Sequence, residues 1–428
     1  MVDRKTFQLP RKAIALVLAG GRGSRLHELT DRRAKPAVHF GGKFRIIDFV
    51  LSNCTNSALY DVMILAQYRP HSLIDHIGAG GPWELNRERG GGVRVYSPYR
   101  SREDAGWFSG TADAVQQNFL FIKDRRPQLV LLLSGDHIYR MNYQELIDFH
   151  LEKGSDATVA TIDVPDEDKS RFGVCQTDTD GRITHFVEKP KTPVPGLGSM
   201  GIYVFDYRVL DRVLLEDHAI ATSNHDFGKD ILPRMITRGE RVFSWHYRGY
   251  WRDVGTLESY WEAHMDLLGS SPKYDLNDLG WLIHTRSENR PPARIGNGAS
   301  LNDCLIAHGC EIMAGAVVER SILSPGVRVE PGAVIRDSVV LFDTVVERDS
   351  VIEHAILDSR GRIGRGCRIG KAGSAELAVV GKSTRVPAGT TVAPGAEIGP
   401  DVIASDFEGA TEIVAGTQLF TKRKPHEL

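Results

Sequence analysis

The chain holds 428 residues, enough for two or three domains with sizeable cores. Its formal net charge of −2 provides no global basic field for nucleic acid, so local clusters of arginine and lysine point to small anions. No window approaches the ~18 apolar residues of a membrane helix, residues 1–12 are polar rather than signal-like, and the five cysteines (54, 175, 304, 310 and 367) show no CxxC spacing. A cytoplasmic protein with reduced thiols is expected, with neither nucleic acid nor membrane as a partner.

The first predicted strand, residues 13–19, runs straight into Gly20-Gly21-Arg22-Gly23-Ser24-Arg25-Leu26. Glycines let a backbone approach a ligand and aim several N–H groups one way. Arg22 and Arg25 add planar cations suited to phosphate oxygens. The turn lacks the lysine of a Walker loop and the third glycine of a dinucleotide fingerprint, so it predicts another kind of nucleotide phosphate site. Arg32, Arg33 and Lys35 bring three more cations to the same mouth.

Further strands are predicted at 61–66, 129–134, 157–162, 183–187, 201–205 and 242–247. Helices are predicted near 44–58, 111–123, 142–152, 228–238 and 256–268, the third capped by Asn142 with Glu145. This alternation implies an α/β domain with a mostly parallel sheet, covered on both faces, whose ligand sits beyond the carboxyl ends of the strands. The buried run 129–134 leads to Asp136-His137, a position for a metal-binding acid, and Asp253 offers a second. Two separated carboxylates and a polyphosphate make a Mg²⁺ site. Lys189 ends another strand, where it can hold a substrate phosphate, and the small residues of Gly110-Thr111-Ala112 let a base or ribose approach. No Ser-His-Asp set, Cys-His set or zinc-spaced histidine pair stands out. The inventory favours direct phosphoryl or nucleotidyl transfer, in which positioning and charge neutralisation carry catalysis.

Residues 269–293 read as a linker, and the rhythm then changes. Apolar residues recur at Ile295, Leu301, Ile306, Ile312, Val318, Leu323, Val329, Ile335, Val340, Val346, Ile352, Leu357, Ile363 and Ile369, in steps of 6 and 5 that sum to 17 per coil. Val380, Val386, Val392 and Ile398 resume the six-residue step. Coils that bury their apolar corners only by stacking form a parallel β-helix, left-handed by its hexapeptide spacing. The expected division is 1–268 for the nucleotidyltransferase domain, 269–293 for the linker and 294–428 for the β-helix.

These segments, in this order, resemble bacterial ADP-glucose pyrophosphorylase (glucose-1-phosphate adenylyltransferase). The resemblance is carried by the glycine turn and by Arg33-Ala34-Lys35-Pro36, Gly110-Thr111-Ala112-Asp113, Ser134-Gly135-Asp136-His137, Phe186-Val187-Glu188-Lys189-Pro190, Ser199-Met200-Gly201 and Tyr250-Trp251-Arg252-Asp253-Val254-Gly255. It implies that ATP and α-D-glucose 1-phosphate give ADP-glucose and pyrophosphate for glycogen or other α-glucan synthesis. It further implies that Arg25, Lys35 and Asp136 are catalytic, and that Asp136 and Asp253 hold Mg²⁺. Gly20, Gly21, Gly23, Ser24, Gln67, Trp107, Phe108, Gly110 and Thr111 would contact the nucleotide. Gly173, Glu188, Lys189 and Ser199 would bind the sugar phosphate. Arg32, Arg33, His39, Lys43 and Arg45 match the family's region for small anionic effectors, and the family is usually a homotetramer with a regulatory and oligomerising β-helix.

The sequence departs from the family at Phe108, where tyrosine is usual, which removes a hydroxyl worth ~1 kcal/mol as one hydrogen bond. The insertion before Tyr250 is short, and residues past Ile398 match poorly. Three other readings are a transferase using UTP or dTTP, a noncatalytic effector-sensing subunit, and a bifunctional enzyme with acetyltransferase chemistry at His308 or His354.

Overall fold

The computed structural model describes residues 12–21, 23–87, 91–98 and 107–423. The first apolar run forms the strand Ala13–Ala19 inside a nine-stranded sheet. Asp61–Ala66 and Leu129–Ser134 flank it in parallel, with Ala15 opposite Val62 on one side and Leu131 on the other. Gly92–Tyr96 extends this parallel side. Strands apolar on both faces need cover on both. One core supplies it with Val50, Leu51 and Trp83, and a second with Val115, Phe205 and Leu214.

On the far side the strand Leu197–Asp206 enters antiparallel to Leu129–Ser134 and to Ala157–Ile162. Ala157–Ile162 pairs in parallel with Val242–His246. The strand Leu197–Asp206 is longer than its apolar segment 201–205 because its register shifts between Ser199 and Tyr203. A bulge re-aims side chains, and here Gly201 takes φ 66° while the first residues pair with Gly173–Thr177.

Helices form at Ile46–Asn56, Tyr143–Glu152 and Leu257–Met265, inside the expected spans. Asn142 caps the second by accepting from Gln144 N at 3.1 Å. The expected helix 111–123 is divided into Thr111–Gln117 and Phe119–Arg125. Between them, Asn118 turns its amide onto Ala114 O at 2.8 Å, a local bond that competes with the helix ladder. The segment near 228–238 is a π turn, Phe227–Ile231, followed by the helix Leu232–Thr237. No helix among the described residues is long and apolar enough to cross a membrane.

Between the helix Leu257–Met265 and the strand Arg294–Ile295 no helix or strand lies among the described residues. The chain then winds into three parallel ladders. Ile295 pairs with Ile312, Ile312 with Val329 and Val329 with Val346, each one period of 17 residues on, as the left-handed β-helix requires. The period lengthens where Leu357 pairs with Val380 across the turn that contains Gly373, and again towards the end, where Val392 pairs with Ile413 and Ile398 with Leu419. Past Ile398 the short helix Ala404–Phe407 precedes two last strands, Glu412–Ile413 and Gln418–Leu419.

One face of the β-helix packs on the sheet domain. Ile322, Val339, Ile356 and Val379 share a core with Leu26, Leu29, Phe40 and Tyr260. Trp261 Nε1 donates to Asp337 O at 2.7 Å, and its ring meets His354 edge-on at 4.5 Å between centroids. His354 is therefore a packing residue at this seam.

Candidate active site

The parallel strands Ala13–Ala19, Asp61–Ala66 and Leu129–Ser134 end along one edge of the sheet. Their ends open onto a cavity of about 540 Å³. Gly20 and Gly21 line it after the first strand, Gln67 after the second, and Ser134, Asp136 and His137 after the third. Gly135 makes the last turn possible, because a Cβ there would stand 3.0 Å from Val17 Cγ1 and 3.1 Å from Leu18 O.

Gly23 and Ser24 support this rim without lining it. Gly23 has φ 67°, and a Cβ on it would press at 3.0 Å on both Lys35 Cβ and Thr30 Cγ2. A side chain at position 23 would therefore push Lys35 out of place. Arg25 reaches the cavity wall, its Nη2 beside Gly255. Arg22, like residues 1–11, lies outside the described residues.

Lys35 is the electrostatic centre. It is buried, and its Nζ lies 2.8 Å from Asp136 Oδ2 and 3.1 Å from Asp253 Oδ1. Burial alone would lower the lysine pKa, but the two carboxylates raise it. Burial alone would raise Asp136, yet Lys35, His137 and the Ser134 hydroxyl hold it well below the usual carboxylate range. Asp136, His137 and Asp253 each place one ligand atom within 4.8 Å of the others. His137 Nδ1 is buried with no hydrogen-bond partner. The cluster thus has the spacing and the acidic donors that a divalent ion needs.

Phe108, Gly110 and Thr111 form the opposite wall, whereas Trp107 stands out into solvent, 65% exposed. Gly110 packs on the segment before Asp226, since a Cβ there would fall 2.3 Å from His225 O. Thr111 Oγ1 donates to Asp226 Oδ2 at 3.0 Å and accepts from Phe227 N at 3.1 Å. At the far end lie Gly173, Glu188, Lys189 and Ser199. A Cβ on Gly173 would stand 2.7 Å from Glu188 Oε2. Burial, above all, raises the Glu188 carboxyl, with Lys189 opposing and Asp226 adding to the shift.

The nucleotidyl transferase family matches residues 14–270, and a GlmU-like C-terminal hexapeptide family matches 291–392. A glucose-1-phosphate adenylyltransferase of Thermotoga neapolitana is 50% identical over 74% of this chain and 74% of its own. One of Halalkalibacterium halodurans is 48% identical over 75% of this chain and 83% of its own. A third, from Fervidobacterium nodosum, is 43% identical over 92% and 97%. The chain belongs to the glucose-1-phosphate adenylyltransferase family.

Sequence reasoning missed three contributors to this adenylyltransferase cleft. Arg171 lines it, with Nη2 3.9 Å from Asp253 Oδ2 and Nε buried without a partner. Asp226 and Tyr203 line it as well. Tyr203 ends the Ser199-Met200-Gly201-Ile202-Tyr203 segment that carries the family resemblance, but no chain-order motif marks the other two: Arg171 follows an acidic turn that reads as surface, and Asp226 comes to the cleft through its bond with Thr111, from a distant segment.

The basic residues beyond the glycine turn divide into two groups. His39, Lys43 and Arg45 line a second cavity of about 250 Å³ with Arg286 and His308, closed on the β-helix side by Phe342. Arg32 and Arg33 lie outside that lining and pair with β-helix carboxylates, Arg32 with Asp401 at 2.7 Å and Arg33 with the buried Asp358. Arg33 Nη1 also lies 3.0 Å from His39 Nδ1. Burial first, then Arg33 and Arg45, keep His39 well below the ordinary histidine pKa, so it is neutral at pH 7.

Proposed function

We propose that this chain joins ATP and glucose 1-phosphate to form ADP-glucose and pyrophosphate. The observation that carries the reading is Lys35 between Asp136 and Asp253, with cations at one end of the cleft and Glu188 with Lys189 at the other. In this reading Arg25 and the N–H groups of the glycine turn take the triphosphate, and Phe108, Gln67, Gly110 and Thr111 take the nucleoside. Trp107 stands at the entrance. Glu188 accepts from sugar hydroxyls, Lys189 neutralises the sugar phosphate, and Ser199 and Gly173 shape its seat. Lys35 stabilises charge on the α-phosphate and on the departing pyrophosphate. Asp136 and Asp253 would hold Mg²⁺, which supplies charge neutralisation on the phosphates when bound. The sugar phosphate oxygen attacks the α-phosphorus in line, so positioning rather than a covalent intermediate carries the rate.

The cavity of His39, Lys43 and Arg45 fits a small anionic effector, and its seat against Phe342 gives the β-helix a regulatory role. Residues 294–428 form that regulatory and oligomerising domain of a homotetramer, joined to the catalytic domain through 269–293. The product serves glycogen or another α-glucan. A pyrophosphate-release assay with glucose 1-phosphate and each of ATP, UTP and dTTP tests the base choice. ATP should be preferred at least about tenfold in kcat/KM, a ~1.4 kcal/mol discrimination; an equal or better rate with UTP or dTTP refutes it.

A further inference from the structure

The short helix Ser24–Leu29 leaves the glycine turn and ends against the last coils of the β-helix. Within it His27 has φ 43° and ψ −120°, which a non-glycine residue holds only when its surroundings impose it. Its Nδ1 lies 3.0 Å from Glu397 Oε2. Glu28, next in the chain, is 2% exposed, and its Oε2 accepts no hydrogen bond. One ligand atom from each of His27, Glu28 and Glu397 lies within 4.8 Å of the other two.

Two carboxyl groups facing one another at a desolvated seam need a positive species between them. Of the cations that flank Glu28 in sequence, Arg25 lines the cleft and Arg32 is committed to Asp401. The other group on Glu397 is the neutral amide of Gln418, at 3.5 Å.

We propose that His27, Glu28 and Glu397 bind a divalent first-row transition-metal ion, which clips the nucleotide-loop helix to the β-helix. One imidazole nitrogen and two carboxylates suit Zn²⁺ or Mn²⁺, whereas Mg²⁺ prefers oxygen ligands throughout. The exposed ring of His27 opens the site to solvent, so an ion has a path in. Neither region alone supplies the set, because His27 and Glu28 lie in the sheet domain and Glu397 in the strand Glu397–Ile398. Occupancy therefore depends on the β-helix being seated.

Calorimetric titration of Zn²⁺ into the tag-free, full-length Asp136→Asn/Asp253→Asn variant separates this centre from the catalytic acids. One ion per chain should bind, and adding Glu397→Gln or His27→Gln should weaken it at least about tenfold. As a second readout, Zn²⁺ should raise the melting temperature of the Asp136→Asn/Asp253→Asn variant, and Glu397→Gln should abolish that rise. In the enzyme with its catalytic acids intact, Glu397→Gln should remove one bound Zn²⁺ and leave Mg²⁺-dependent turnover in place. No saturable binding up to millimolar Zn²⁺, or binding indifferent to both substitutions, overturns the proposal; a proton shared by the two carboxyls then accounts for the pair.

Discussion

The cleft and the β-helix use the same residue types in opposite ways. In the β-helix a period of 17 residues sets opposite charges on successive coils. Arg336 takes Glu319 at 2.7 Å on one side and Glu353 at 3.3 Å on the other, and Arg320 takes Asp337 at 2.8 Å. These pairs are open to solvent on one side, so each contributes only ~0–1 kcal/mol, and they leave no charge available for chemistry. In the cleft Lys35 is buried between two acids, and Arg171 Nε has no partner. Repetition satisfies charges locally, whereas a site concentrates them from distant segments and leaves part of their bonding capacity for a ligand.

This contrast breaks first at Asp136. Asp136→Asn should lower kcat by about 10³-fold while ATP binding survives, as steady-state turnover and nucleotide titration would read. Near-normal turnover would remove the metal role and reduce Asp136 to a partner of Lys35. Next comes the opposite kind of change, in the stacked corners. Ile335 is fully buried, and Ile335→Ala should cost about 2–5 kcal/mol of stability through lost burial and a cavity. Thermal or denaturant melting should reveal that loss while kcat of the folded fraction holds, and a kcat that falls in parallel would mean the corners transmit to the cleft. The smallest effect is expected at the seam. Lys43→Ala should shift effector activation or inhibition curves and spare basal turnover, and an unchanged response to a panel of sugar phosphates and glycolytic acids would take Lys43 out of the effector cavity.

Legibility from sequence follows the same divide. The strands at 13–19, 61–66, 129–134 and 157–162 match their predicted bounds, because runs buried on both faces end where burial ends. The β-helix was equally plain, since its corners must recur to stack. Gly92–Tyr96 and Gly173–Thr177 were missed, as each is short and begins at a glycine. The helix Tyr207–His218 was missed because charged residues dilute its apolar stripe. Within the cleft, Asp136 and Lys189 were legible as charges at strand ends, and Glu188 only through the family resemblance. Arg171 and the Arg33–Asp358 pair were not, because their meaning depends on partners that only folding brings near, 325 residues apart in the second case. Local pattern records burial, and it carries no address for a distant partner.

Solenoids usually gain and lose units freely, since each rung meets only its neighbours. This one is indexed. Asp358 must stand opposite Arg33, and Ile322, Val339, Ile356 and Val379 must climb the wall of the sheet domain in fixed order. Inserting one whole coil between Ile322 and Asp358 would displace that carboxylate by about 4.8 Å, one strand spacing, and strand a buried guanidinium. Duplication and deletion of rungs, the ordinary route by which such arrays diverge, is therefore closed along this stretch, and length variation is confined to the outward-facing turns and the two ends.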